Sequence, residues 1–307
     1  MDKSLHFTTN KFRDRDDAAV SDLSMNEFFP KATLLGAAKD REMLKDATTR
    51  VYAQRPEGDL EAHLFFPEKA STSPRAVVIF FHGGFWESSM PGQFVPHGLH
   101  FASRGAVAIC AETRVSSKHG TGAVEAIDDA RELILWVRQH AAELQIDPQR
   151  VIVGGSAGGA SLALMTAMPK EKFLPTAGGF DCCPQALLLF SALVELKNHA
   201  QASARFPDAK SAKQSSPLRM ARRKLPPMLF FHGKADRIAP FAAVQAFQRK
   251  LRWRGNRCEL VDFEKEDHSF FNFHVSHGHF ERTVRAADHF LVELGLLDPE
   301  EEHEAAE

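Results

Sequence analysis

Tyrosine is nearly missing from this chain: Tyr52 stands alone among 307 residues, against twenty-five phenylalanines. Aromatic walls built from it are therefore apolar, with hardly a phenolic hydroxyl to donate a hydrogen bond. Cysteine is scarce as well. Cys110, Cys182, Cys183 and Cys258 form no CxxC pair and no disulfide-framework spacing, so a reducing compartment is expected, with vicinal Cys182 and Cys183 serving as small buried hydrophobes. No window approaches eighteen uninterrupted apolar residues, and the opening MDKSLHFTTNKFRDRDD lacks an apolar stretch before a small-residue cleavage site. The expectation is a soluble, cytoplasmic protein with no membrane partner. A formal net charge of −2 and a pI near 6.7 give no sequence-wide reason to seek phosphate backbones, so nucleic acid is not expected as a partner either. No feature specifies an oligomeric state.

With 44% apolar and 25% charged residues, the chain can bury a substantial core. Residues 1–47 are charged and weakly periodic, and read as a helical extension that could serve as a lid. From Arg50 onward, strand and helix signals alternate. RVYAQRP, LEAHLFFP, AVVIFF, AVAICAE, VIVGG, ALLLF, MLFF and ELVDF are strand candidates. Between them lie helices predicted from about Gly122, from Ala157, from Pro240 and near His277. Ala123, Ile127, Ala130, Ile134 and Val137 recur at helical spacing, as do Val244, Phe247 and Leu251. Pro240 suits a first helical position and Gly255 a stop. This predicts an α/β domain over 48–297: a mostly parallel eight-stranded sheet with helices on both faces. Its longest irregular stretch, 191–227, reads as a cap-like insertion. Residues 298–307 form an acidic tail expected to be disordered.

VIVGGSAGGASLALM, from Val151, places glycines around one serine between a strand candidate and a helix candidate. A linker lacks such apolar flanks. A Walker loop needs a lysine that is absent, and GxGxxG fails because Ser156 occupies its third position. Gly154 to Gly158 instead fit GxSxG in the strand–turn–helix setting that presents a nucleophile, with the serine itself expected in a strained conformation. An ordinary helix start is the plainer reading of such a cluster.

A serine nucleophile needs a base, and the base an acid that fixes its tautomer. Ends of later parallel strands deliver side chains to the same edge, which selects Asp236 after MLFF and His268 after ELVDF, in the order Ser, Asp, His. Glu195, beyond ALLLF, is the alternative acid; Glu266 and Asp267 lie too near His268 in sequence to be preferred. HGGFW, His82 to Trp86, follows the buried strand AVVIFF and offers backbone N–H donors for a developing oxyanion, each worth about 3 kcal/mol. The donors assigned are Gly84, Phe85 and Ala157. Phe85 and Trp86 are expected to bind substrate by walling an apolar acyl pocket. Arg114 and Lys118 could hold a substrate carboxylate, with a structural ion pair the plainer role. His274, His277 and His279 have no ligand spacing that supports a metal site.

HGG, GGSAGG, HGKAD and EDHSFFN, in that order, resemble the α/β-hydrolase superfamily of serine esterases over roughly residues 50–296. GNRCELVDFEKEDHSFFN is most similar to bacterial esterases grouped with acetyl xylan and feruloyl esterases. The resemblance implies acyl ester hydrolysis without a cofactor, a small-molecule ester as partner, and Ser156, Asp236 and His268 as the triad. Two departures bear on specificity. Phe85 replaces the third glycine of many such esterases, and HGG followed by an aromatic and Trp86 is also similar to kynurenine formamidases. Cell-wall esterases are usually secreted and no leader is visible, which favours a small ester, sugar acetates included, over a polysaccharide. An amidase of the formamidase type is the alternative; a scaffold that has lost its chemistry and only binds is a third.

Overall fold

The computed structural model describes residues 36–168 and 181–300. Eight strands form one sheet in the order β1-β2-β4-β3-β5-β6-β7-β8. They are β1 Thr48–Ala53, β2 Leu60–Phe65, β3 Arg75–Phe81, β4 Val107–Ala111, β5 Ile146–Ser156, β6 Ala186–Phe190, β7 Met228–Gly233 and β8 Cys258–Phe263. The pairs β1–β2 and β2–β4 are antiparallel and all others parallel. Every predicted strand is present.

Strands in the centre read as continuous apolar runs because both of their faces are covered. In β3, Val77, Ile79 and Phe81 enter one core while Ala76, Val78 and Phe80 enter the other. The first core is closed by α4 (Ala123–Gln139), the short α5 (Ala141–Leu144), α6 (Gly158–Ala167) and α10 (Phe241–Trp253). α2 (Val95–Ser103) and α11 (His277–Glu293) close the second, where Phe80, Phe94, Phe101, Phe190, Phe231 and Phe271 are fully buried. Phenylalanine abundance is thus largely a matter of core packing.

Of the extension expected over 1–47, residues 1–35 lie outside the described residues, whereas 36–44 form helix α1. Met43 and Leu44 pack on the second core, and Asp40 accepts the Gly92 N–H at 2.7 Å. Burial pushes the Asp40 carboxyl up to about 6. Most of the acidic tail, 301–307, also lies outside the described residues. A short helix α3 (Ser116–His119) follows β4, and 191–227 carries α7 (Ala200–Ser203), α8 (Ala209–Ser215) and α9 (Pro217–Met220). Pro240 caps α10 instead of opening it, and Gly255, at φ 78°, lies just past its end.

Candidate active site

Parallel pairing brings the C-terminal ends of β3, β5, β6, β7 and β8 to one edge. Ser156 is the last residue of β5, paired with Phe190. Two of the glycines near it are sterically required. A Cβ on Gly155 would lie 2.6 Å from the Phe81 carbonyl oxygen, and one on Gly159 2.2 Å from the same atom. The strain sits one residue later than the sequence suggests: Ala157, at φ 48° and ψ −113°, takes the positive angle before α6 begins.

His268 and Asp236 come together. His268 Nδ1 lies 2.8 Å from Asp236 Oδ2, while the other carboxylate oxygen accepts the N–H groups of Ile238 and Ala239, each at 2.8 Å. Burial alone would raise the Asp236 pKa. Hydrogen bonds from His232 and His268 outweigh it and hold the carboxyl well below its ordinary range. An ionised carboxylate can only accept, so Nδ1 of His268 carries the proton and Nε2 is left as the basic atom. Ser191 Oγ donates to the His268 carbonyl at 2.8 Å and fixes its loop from the end of β6. Glu195 is not the acid: its carboxylate accepts from the Lys197 N–H and the Ser216 hydroxyl.

The glycine loop after β3 turns through three successive positive φ angles, at Gly84 (101°), Phe85 (54°) and Trp86 (57°). A Cβ on Gly84 would meet the Ser88 carbonyl oxygen at 3.0 Å, which explains that glycine. Among the described residues, no acceptor meets the Gly84 or Phe85 N–H. Ala157 differs from expectation, since its N–H donates to the Phe190 carbonyl at 3.1 Å as an extension of the β5–β6 ladder. It is committed to the sheet in this structure and is not a free oxyanion donor. His82 Nδ1 contacts the Gly83 carbonyl at 2.6 Å, and burial pushes its pKa down, so a neutral ring supports the loop.

Trp86 also departs from expectation. Its ring is 3% exposed and packs edge-on to Phe206 of the 191–227 excursion at 5.8 Å, so it is not a free pocket wall. Phe85 stacks on His199 at 5.1 Å. His199 in turn lines a cavity of about 150 Å³ with Ala192, Leu193, Val194, Ala239 and Pro240, between the loops that follow β6 and β7. Arg114 takes the plainer role, gripping buried Asp129 through Nε and Nη2, and Lys118 lies 3.4 Å from Glu112. Cys182 is buried and Cys183 half-buried. His277 and His279 open α11. Elsewhere, Glu61, His63 and Glu112 on β2 and after β4 bring ligand atoms within 4.8 Å of one another, with Lys118 already beside Glu112.

Three residues escaped the sequence reading. Gln93 Oε1 accepts both the Ser156 hydroxyl (3.1 Å) and the Gly83 N–H (2.8 Å), and its Nε2 donates to Asn272 Oδ1 at 3.1 Å. His232 Nε2 donates to the Ala239 carbonyl at 2.7 Å and lies 3.3 Å from Asp236 Oδ2. One sequence signal bears on His232: the tetrapeptide FFHG recurs where β3 and β7 finish, with His82 just past β3 and His232 within the last residues of β7.

Strand order, the serine turn after β5 and the bonded acid–histidine pair define an α/β-hydrolase. The BD-FAE family matches residues 63–182. An esterase of Thermogutta terrifontis, Est2, superposes with a TM-score of 0.78 at 35% identity, covering 84% of this chain and 96% of that one. Its butyrate-bound form gives 0.77, and it has also been observed phosphonylated by sarin. A probable isoprenylcysteine alpha-carbonyl methylesterase of Arabidopsis thaliana is 25% identical over 244 residues, 71% of this chain and 50% of the relative. The chain spans about half the length of the curated relatives it matches. It belongs to the α/β-hydrolase superfamily, among the serine esterases.

Proposed function

We propose that this protein hydrolyses small carboxylic esters through an acyl-enzyme formed on Ser156. The observation that carries the reading is the 2.8 Å bond between His268 Nδ1 and Asp236, which leaves Nε2 to take the serine proton. Ser156 attacks the acyl carbon as His268 accepts its proton. Gly84 and Phe85 N–H groups face the oxyanion. His268 then protonates the departing alcohol, the acyl-enzyme forms, and water attacks it with the same imidazole as base. Asp236, held ionised, stabilises the imidazolium in both halves. The cavity of about 150 Å³ lined by His199, on which Phe85 stacks, and by Glu195 and Asn198 as well as apolar side chains, is the space assigned to a short acyl group, and the similar Thermogutta esterase has been captured with butyrate.

Helix α1, 36–44, is proposed as a cover on this side of the molecule, supported by the Asp40–Gly92 bond one residue from Gln93. The segment 191–227 acts as a cap, supported by the Phe206–Trp86 contact and the 2.6 Å Arg205–Glu87 ion pair. Among the described residues, no helix is long and apolar enough to cross a membrane. A panel of nitrophenyl acetate and butyrate, sugar acetates, feruloyl esters and an aryl formamide tests the reading, with Ser156→Ala as control. Turnover of short esters, lost in the control, is expected; preference for the formamide would replace the reading with the amidase.

A further inference from the structure

One half-buried side chain joins three loops of the site that are far apart in sequence. Gln93 lies in the turn Pro91–Phe94 that leads into α2, outside every motif that marks the triad. A carboxamide oxygen has two lone pairs, and both are used here: one takes the Gly83 N–H of the loop after β3, the other the Ser156 hydroxyl at the end of β5. Its nitrogen donates to Asn272, four residues beyond His268 in the loop after β8. Asn272 is itself buried, and its Nδ2 donates to the Ser269 carbonyl at 3.0 Å, so the far end of the bridge is fixed to the histidine loop.

We propose that Gln93 is a positioning residue for ester hydrolysis, setting the spacing between the oxyanion loop, the nucleophile and the histidine loop through one carboxamide. This rests on the reading of Ser156 as nucleophile. By anchoring the Gly83 N–H, Gln93 leaves the next two amides, Gly84 and Phe85, without a competing acceptor and free to face developing charge. By accepting the Ser156 hydroxyl, it holds the resting nucleophile in one orientation until the proton turns to His268. The physical basis is preorganisation: donors fixed before reaction need not be ordered during it, and small misplacements are costly in rate.

Two variants test this. Gln93→Leu keeps the approximate shape and removes every hydrogen bond; kcat on nitrophenyl acetate is expected to fall tenfold or more, with KM within about threefold. Gln93→Glu keeps both acceptor bonds but sets a carboxylate oxygen against Asn272 Oδ1, so it is expected to recover part, not all, of the kcat lost in Gln93→Leu. A merely structural glutamine would lower the melting temperature and leave the kcat of the folded variants unchanged. Wild-type kcat in Gln93→Leu, or a folded Gln93→Glu no more active than Gln93→Leu, overturns the proposal. So does a rise in KM alone, which would make Gln93 a binding residue. If the wild type neither hydrolyses the ester nor loses activity on Ser156→Ala, the reading of the site fails and takes this proposal with it; a Ser156-dependent wild type with unaffected Gln93 variants overturns the proposal alone.

Discussion

His268 and Asp236, thirty-two residues apart, meet at 2.8 Å because β7 and β8 are parallel neighbours that end at the same edge. Asp236→Asn preserves the oxygen that accepts from Ile238 and Ala239 but turns an amide toward Nδ1, which then must accept. That tautomer puts the ring proton on Nε2, where it cannot take the serine proton. A loss in kcat on the order of 10^3 to 10^4 is expected with little change in melting temperature, measured on a nitrophenyl ester. Activity within tenfold of wild type would remove Asp236 from the mechanism.

Glycines at the serine turn and elsewhere separate packing from propensity. Gly159→Ala would press a methyl to 2.2 Å from the Phe81 carbonyl oxygen and 2.4 Å from that of His82, both backbone atoms. Destabilisation on the order of 4 kcal/mol or more, or failure to accumulate folded protein, is expected. Gly278, in the first turn of α11, has nothing within 4 Å of its would-be Cβ, so Gly278→Ala should gain about 0.5–1 kcal/mol. Denaturant midpoints compare the two directly.

A second buried histidine governs stability in acid. His97 is fully buried, ringed by Phe80, Phe94, Phe190, Phe271 and Phe280, and among the described residues neither ring nitrogen has a hydrogen-bond partner. Burial pushes its pKa down to about 3. The unfolded chain binds this proton below about pH 6.5 and the folded chain does not, so the site's contribution is whole above that pH and falls as pH drops toward 3. His97→Phe should therefore gain on the wild type by roughly 1 kcal/mol per pH unit between pH 6 and 4. His63, His82 and His119 are also lowered by burial, so the slope flattens without vanishing. Parallel stability curves for the two proteins would contradict the assignment.

Much of this architecture could be read from the chain because its two governing patterns are local. Central strands such as AVVIFF are apolar throughout since both faces are buried, and the order Ser156, Asp236, His268 follows from strand ends sharing an edge. What stayed hidden depends on contacts across the fold. Trp86 is drawn into packing because the excursion folds back to place Phe206 against it. The Ala157 amide is lost to Phe190 because the β5–β6 ladder runs one residue further than the motif implies. Gln93 has no periodic or motif signature at all; its partners at 83, 156 and 272 meet only in the folded chain.

The central claim, that Ser156 is the attacking nucleophile, is tested most directly by treating folded protein with a fluorophosphonate and locating the adduct by peptide mass mapping. One adduct is predicted, on Ser156, absent from Ser156→Ala and formed far more slowly in His268→Ala. An unlabelled folded wild type, or an adduct on another residue, would contradict the account.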